Sequence, residues 1–480
     1  MDALPGSKIL FVTSEMTDVL KAGGLGEVSA ALPRVLRREG LDVRILIPGY
    51  RAALERLDDI AVLAELPALG EVPACRIGGT RMADGLLIYV VLCPELYDRA
   101  GSPYGDDTGT EWIDNDVRFA RLGLAAADLA EGIGALGWQP DLLHVNDWPS
   151  SLAPAYMAWR GQSTPSILTV HNLAYQGVFD RSRSAALGIP DAACRTDGVE
   201  FYGKISFLKA GLFYASHLTT VSPTYAKEIL TPEMGCGLDG LLRERAGRGQ
   251  LTGILNGIDD SYDPRSDQHL SHHFDSGDFT GKRSNTMDVR RAFGLADSPG
   301  PLFAVVSRLV HQKGVDLVVE AADSIVRQGG QVVAIGQGER KLEEAMSGLA
   351  MRYPEEVGVE IGFEEGLARR MYAASDFLLM PSRFEPCGLS QMYAQRFGSL
   401  PIARNTGGLA DTIEDRVTGF LFDAPSASEL RGCIGQAFAA FHAGDSLDRM
   451  KTAAMQRPAG WGPAADAYRA QYAETIARAA

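Results

Sequence analysis

The chain has 480 residues, more than one hydrophobic core sustains, so two or three domains are expected. Hydrophobic residues make up 46% and charged residues 22%, a globular balance, while a formal net charge of -15 argues against a generalised nucleic-acid binder, which carries a basic surface. The six cysteines (Cys75, Cys93, Cys194, Cys236, Cys387 and Cys433) form no Cys-x-x-Cys pair, so neither a zinc ribbon nor a dithiol redox motif is signalled, and scattered thiols fit a reducing cytosol. At the N-terminus a short apolar run, Ile9 to Val12, is closed by Ser14-Glu15 and reads as a strand rather than a signal peptide. No apolar run approaches the ~20 residues of a membrane span. The expected location is the cytoplasm, with no membrane and no nucleic-acid partner.

Short β-branched runs then alternate with amphipathic stretches. The strand Ile9–Thr13 leads through a Gly-rich turn into a helical pattern, Leu25–Arg38, and Val43–Ile47 is the next strand. Asp141–Val145 and Ser166–Val170 read as buried strands separated by a helix around Leu152–Trp159. Residues 265 to 285 are polar and without clear periodicity, and His272-His273 there reads as solvated loop. A second alternating series follows, with strands Leu302–Val306, Gln331–Ile335, Val357–Ile361, Phe377–Met380 and Leu400–Ala403. Helical patterns lie between them, for example Gly314–Arg327 and Leu389–Arg396, and the tail from Pro463 to Ala480 is helical. Strand and helix alternation of this kind implies parallel sheets with right-handed crossovers, here two doubly wound α/β domains in tandem.

Several strand ends carry polar groups, where doubly wound sheets bind ligands. Gly23-Gly24, read alone, is a tight turn, and its spacing is not the dinucleotide fingerprint. Lys21 at the same helix entrance makes it a candidate anion site, with amides and ammonium aimed at a phosphate. Lys21-Ala-Gly-Gly-Leu recurs loosely as Asn405-Thr-Gly-Gly-Leu, which suggests one such turn in each domain. Arg308 and Lys313 follow a strand and suit a diphosphate, the Arg as a fork and the Lys as a point charge. Glu385 lies in a loop after a buried strand and suits a sugar hydroxyl, as do the amides of Cys387 to Leu389; no neighbour argues for Cys387 as a thiolate. His144, Asp147 and His171 sit at strand ends, where histidine is often only a satisfied core residue, but two polar strand ends in one sheet beside a Gly-Gly turn tilt the reading towards a ligand site. The eight histidines show no metal spacing, and no Gly-x-Ser-x-Gly, Walker or kinase signature occurs.

Taken in order, Lys21 to Leu25, His144 to Trp148, Thr169 to Asn172, Thr220 to Tyr225, Leu255 to Asp259, Ser307 to Leu309 with Gln312 to Gly314, Pro381 to Leu389 and Thr406 to Leu409 resemble the bacterial glycogen synthase and plant starch synthase family. The resemblance implies two Rossmann-like domains facing a cleft, the GT-B fold. The N-terminal, acceptor-side domain would span 1–256, joined by a C-terminal helix 462–480, and 257–461 would form the nucleotide-sugar domain. It implies retaining transfer of glucose from ADP-glucose to the non-reducing end of an α-1,4-glucan, with no cofactor and no metal. Lys21, Gly23 and Gly24 would lie against the donor phosphates, and Arg308 and Lys313 would neutralise the departing diphosphate. Asp147, His171 and Asn256 would surround the glucose, with Glu385, Cys387, Gly388 and Leu389 on its hydroxyls. Tyr393, Thr406 and Gly407 complete the implied donor site. Departures are Ala22 where Thr is frequent, Tyr262 where Trp is frequent, and Ala459-Gly460-Trp461 near the end.

Two other readings compete. Sucrose- or trehalose-type synthases generally lack the Lys-x-Gly-Gly-Leu entrance together with Glu-Pro-Cys-Gly-Leu. A glucan-binding protein without activity would have lost Lys21, Arg308, Lys313 or Glu385, and all four are present.

Overall fold

The computed structural model describes residues 5–106, 108–133 and 137–479. Residues 1–4, 107, 134–136 and 480 of the expected segments 1–256 and 462–480 lie outside the described residues. The chain divides into two units: Met1–Val221, Ala226–Ile254 and Trp461–Ala480 form the first, and Ser222–Tyr225 with Leu255–Gly460 form the second.

In the first unit the strands are β1 (Lys8–Val12), β2 (Asp42–Pro48), β3 (Ala61–Leu66), β4 (Cys75–Arg81), β5 (Leu87–Leu92), β6 (Leu142–Asn146), β7 (Ser166–Val170), β8 (Val178–Asp180), β9 (Glu200–Phe201), β10 (Lys204–Ser206), β11 (His217–Thr220) and β12 (Leu251–Gly253). Nine of them make one sheet in the order β12-β11-β7-β6-β1-β2-β5-β4-β3, and β8-β10-β9 form a small antiparallel sheet. Pairing is parallel from β12 to β5 and antiparallel at β5-β4-β3. β6 and β7 are buried at every position, as strands covered by helices on both faces must be. Helix Gly24–Arg38 buries Leu25, Val28, Leu32 and Leu36, one stripe at helical spacing, with Glu27 in its first turn and Arg37 and Arg38 in its last, which suits the macrodipole.

The second unit is a six-stranded parallel sheet of β13 (Leu302–Val306), β14 (Gln331–Gly336), β15 (Val357–Ile361), β16 (Phe377–Met380), β17 (Leu400–Arg404) and β18 (Phe420–Phe422). Its order, β15-β14-β13-β16-β17-β18, is the 3-2-1-4-5-6 arrangement of dinucleotide folds. Phe303, Val305, Val332, Ala334, Phe377, Leu379 and Ile402 of the strands share one apolar core with Val318, Ile325, Leu430, Ile434 and Phe438 of the covering helices.

Three differences from the sequence reading have physical causes. The crossover between units falls after Ile254 rather than after Asn256, so Asn256 belongs to the second unit. Ser222–Tyr225 also belong there, because Ser222 Oγ donates to Pro386 O at 2.7 Å and Thr224 donates through its amide (2.9 Å) and hydroxyl (2.7 Å) to the Asp411 carboxylate. Finally, helix Thr280–Ala292 begins inside the segment read as aperiodic. Its inward positions are Lys282, Asn285, Val289 and Arg290, mostly polar, so no apolar stripe marks it. The Lys282 ammonium is buried and donates to the carbonyls of Ala373 (3.0 Å) and Phe397 (2.9 Å).

The C-terminal helix Gly462–Ala479 is held in the first unit by polar contacts as well as packing. Tyr472 Oη lies 2.7 Å from His144 Nδ1, and His144 Nε2 lies 2.7 Å from Thr169 Oγ1. His144 is therefore a satisfied core residue, and burial pushes its imidazole down to about 3, so it stays neutral.

Candidate functional site

Each sheet reverses strand order once, and ligands of doubly wound folds bind in the crevice at that point. In the first unit the reversal lies between β1 and β6. The loop after β1 carries Glu15, Lys21 and Gly23, and the chain after β6 begins with Asp147.

Glu15, read from sequence only as the close of a strand, organises this loop. It is 3% exposed; its Oε2 accepts from the amides of Ala22 and Gly23, both at 2.7 Å, and its Oε1 accepts from Tyr104 Oη at 2.9 Å. Lys21 Nζ pairs with Glu27 Oε1 at 2.5 Å. The expectation that Gly23-Gly24 offers its amides to an external anion needs correcting: the Gly23 amide already serves an internal carboxylate. A helix entrance attracts whichever anion is nearest, and here the chain supplies its own. Gly24, the first helical residue, has nothing within 4 Å of a built Cβ, so the backbone there stays approachable.

Asp147 is held at φ 51, the left-handed region that Asp tolerates better than most residues. Its Oδ1 accepts from the amides of His171 (2.7 Å) and Asn172 (3.4 Å), which tie the end of β6 to the end of β7. Burial pushes the carboxyl up to about 7, against the pull of those two amides. The side chain of Asn146 donates to Val12 O at 3.0 Å, which turns its Oδ1 towards His171 Nε2, also at 3.0 Å. That arrangement assigns the proton to Nε2. Burial pushes the His171 imidazole down to about 3, so it is neutral and its ring is fixed.

In the second unit the order reverses between β13 and β16. The loop after β13 carries Arg308 and the short 3-10 turn His311–Lys313; the loop after β16 carries Ser382 and Glu385. The two loops meet in an ion pair, Lys313 Nζ to Glu385 Oε2 at 2.6 Å, and Ser382 Oγ donates to the same oxygen at 3.0 Å. The Glu385 side chain is 6% exposed and that of Lys313 18%. Arg308 Nη2 lies 3.5 Å from Gln312 Oε1, and Gln312 Nε2 donates to Phe384 O at 3.3 Å.

Cys387 is buried, and burial pushes its thiol up to about 12 while the amide and side chain of Asn256 bond it, so it is no nucleophile. Asn256 is 6% exposed, and its Oδ1 accepts no hydrogen bond from the described residues. A buried acceptor of that kind suits a ligand hydroxyl. Gly388 takes φ 71, and the helix after it runs from Ser390 to Arg396, one residue shorter than the Leu389–Arg396 pattern. The second Gly-Gly turn is also not an anion cradle at Gly408, whose amide faces the carbonyls of Glu385 (3.1 Å) and Pro386 (3.2 Å). A Cβ on Gly407 would lie 2.0 Å from Glu385 O, and one on Gly408 2.0 Å from Cys387 O. These glycines, with Thr406 before them, let the Glu385 loop rest on the helix Gly407–Thr412. The Tyr393 ring stacks on Tyr262 at 3.7 Å and 16°, and Arg369 covers the Tyr262 ring at 3.7 Å. The structure thus brings Lys313, Glu385, Gly407 and the Cys387–Asn256 pair together.

Residues 8–244 match the family described as starch synthase catalytic domain, and residues 288–454 match glycosyl transferases group 1. The chain is 58% identical to a glycogen synthase of Pseudomonas putida over 98% of this chain and 90% of that protein. It is 56% identical to glycogen synthase 1 of Bradyrhizobium diazoefficiens over 96% of this chain and all of that protein. Among solved structures, the catalytic domain of starch synthase IV from Arabidopsis thaliana, bound to ADP and acarbose, superposes with a TM-score of 0.88 at 30% identity, covering 98% of this chain and 100% of that one. A sucrose-phosphate synthase from Thermosynechococcus elongatus shares the fold, with a TM-score of 0.61 at 17% identity over 98% of this chain and 100% of that one. Two Rossmann-like units with these switch-point loops, and identity of this extent over nearly the whole length, have one reading: the chain belongs to the glycogen and starch synthase family of GT-B glycosyltransferases.

Proposed function

We propose that the chain transfers glucose from ADP-glucose to the non-reducing end of an α-1,4-glucan with retention of configuration, releasing ADP. The observation that carries the chemistry is the Lys313–Glu385–Ser382 corner at the switch point of the second sheet, with Arg308 on the neighbouring turn. A carboxylate for sugar hydroxyls and cations for a diphosphate are held in adjoining loops.

In this reading the bond from the anomeric carbon to the diphosphate oxygen breaks as the glucan 4-hydroxyl oxygen takes its place, and the hydroxyl proton leaves with the departing diphosphate. Lys313 and Arg308 meet the charge that grows on the leaving group, an interaction stronger in the transition state than in the ground state. Glu385 and Asn256 Oδ1 fix the glucose hydroxyls, so rate comes from positioning. The first unit supplies Asp147 and the neutral His171, with the His171 carbonyl assigned to the anomeric centre, and Lys21 and Gly24 are assigned to the donor phosphates. Glu15 is engaged by two amides and a tyrosine, which leaves it ill-suited to the covalent role of a retaining glycosidase carboxylate. The proposed reaction takes no resident cofactor or metal, and its proposed location is the cytoplasm. Among the described residues no helix is long and apolar enough to cross a membrane.

The test is transfer of labelled glucose onto glycogen from ADP-glucose and from UDP-glucose. A higher kcat/KM with ADP-glucose is expected. An equal or reversed preference removes the donor assignment, and no transfer from either removes the reaction.

A further inference from the structure

The ion pair of Lys313 and Glu385 is built from the two groups that the proposed reaction requires to change partners. When a donor arrives, Glu385 turns to sugar hydroxyls and Lys313 to the diphosphate. Something other than their own attraction has to keep the two loops at the right spacing during that exchange. A second tie joins the same loops and touches neither group.

Arg383 lies between Ser382 and Glu385 in the loop after β16. Its guanidinium forms a two-pronged pair with Asp316, Nη1 to Oδ1 at 2.8 Å and Nη2 to Oδ2 at 2.6 Å, and Nη1 also donates to His311 O at 2.8 Å. Its amide donates to Gln312 O at 2.8 Å, and its carbonyl accepts from the Arg404 guanidinium after β17. Asp316 stands in the first turn of helix Val315–Arg327, directly after the turn that carries Lys313. The two loops also touch through backbone, since Gly314, at φ 67, would place a Cβ 2.1 Å from Pro381 O. The hydrogen bonds from Arg383 hold the Asp316 carboxyl below its usual range, as a fixed pair does.

We infer that Arg383 is a positioning residue: through its fork to Asp316 and His311 it sets the distance between Lys313 and Glu385, and so the placement of both on the donor. This rests on the role proposed above for Lys313. A fork fixes angle as well as distance, which a lysine at this position cannot do. Displacing a group in such a site by 1 Å costs on the order of a hundredfold in rate.

The test is a double-variant cycle on the full-length enzyme, with kcat and donor KM measured at saturating glycogen for Arg383→Ala, Lys313→Ala and the combination, and thermal unfolding followed in parallel. Arg383→Ala is expected to lower kcat roughly tenfold to a hundredfold with donor KM within about threefold, and Arg383→Lys to recover only part of it. Because Arg383 acts through the spacing of Lys313 and Glu385, the losses should not multiply, and Arg383→Ala should slow the Lys313→Ala enzyme by clearly less than it slows the parent. Losses that multiply, or a kcat for Arg383→Ala within about twofold of the parent, overturn the inference. If Arg383→Ala does not fold, Asp316→Asn replaces it in the same cycle, with the same two outcomes. If Lys313→Ala leaves kcat unchanged, the proposed role of Lys313 fails, and the positioning role of Arg383 stands or falls on the same cycle run with Glu385→Gln.

Discussion

Lys313 Nζ sits 2.6 Å from Glu385 Oε2, although the two residues are 72 apart in the chain. They belong to the loops that follow β13 and β16, the adjacent strands between which the sheet order reverses. Topology, rather than local sequence, makes them partners, and it places the cation and the carboxylate where a doubly wound fold opens its crevice.

Lys313→Ala is expected to cost turnover first. Removing one preorganised cation from a developing diphosphate lowers kcat on the order of a hundredfold or more, with a small change in donor KM. The buried Glu385 carboxylate loses its cationic partner and keeps the Ser382 hydroxyl, so stability should fall by about 1–3 kcal/mol. Steady-state kinetics and thermal unfolding on one preparation check both. A large rise in KM at constant kcat would mean that Lys313 binds substrate and transition state equally.

Asp147 should leave a mark on the pH dependence of stability. Burial raises its folded carboxyl to about 7 from an ordinary 3.8, so the fold favours the neutral form. The stability it contributes is complete below about 4, declines as pH rises, and is gone above about 7. Asp147→Asn keeps an acceptor for the His171 amide, tolerates the left-handed backbone and does not titrate. Its Tm relative to the parent should therefore rise between pH 4 and 7 and level off above that. A difference that stays flat across the range contradicts the raised carboxyl.

The site glycines should separate into two groups. Gly408→Ala drives a Cβ to 2.0 Å from Cys387 O and must move the Glu385 loop, with an expected loss of about 1–3 kcal/mol and a fall in kcat/KM. Gly24→Ala meets nothing within 4 Å and should leave Tm unchanged or slightly raised. A donor phosphate approaching that backbone would still raise KM in Gly24→Ala, so unchanged KM with unchanged Tm removes Gly24 from the site.

Glu15→Ala is expected to loosen the helix entrance. It strips an acceptor from the amides of Ala22 and Gly23 and from Tyr104 Oη, which costs about 1–3 kcal/mol for the buried donors left behind. Amide hydrogen exchange at Ala22 and Gly23 should accelerate, and Glu15→Gln, which retains an acceptor, should be milder. Equal exchange in parent and Glu15→Ala would mean the carboxylate does not hold the turn.

The sequence alone determined the layering of this protein. Ile9 to Val12, Leu302–Val306 and Phe377–Met380 announce parallel strands because helices on both faces make each a continuous apolar run. Gly-rich and charged segments at their ends mark the ligand side for the same topological reason. Tertiary structure alone decided the pairings. Nothing local distinguishes Glu15 from an ordinary acid after a strand until Ala22, Gly23 and Tyr104 converge on it. Helix Thr280–Ala292 hides because its inward Lys282 and Arg290 are polar and donate to backbone carbonyls, Lys282 to Ala373 and Phe397 far along the chain and Arg290 to Ser298 and Gly300 in the loop that follows, which no periodicity reports. Tyr393 enters the expected site only through the family resemblance, and its stacking on Tyr262 could not be read from the sequence. Hydrophobic burial repeats with the period of each element and so can be read along one strand of text. Hydrogen bonds and ion pairs between loops depend on which strands become neighbours, and only the folded sheet sets that order.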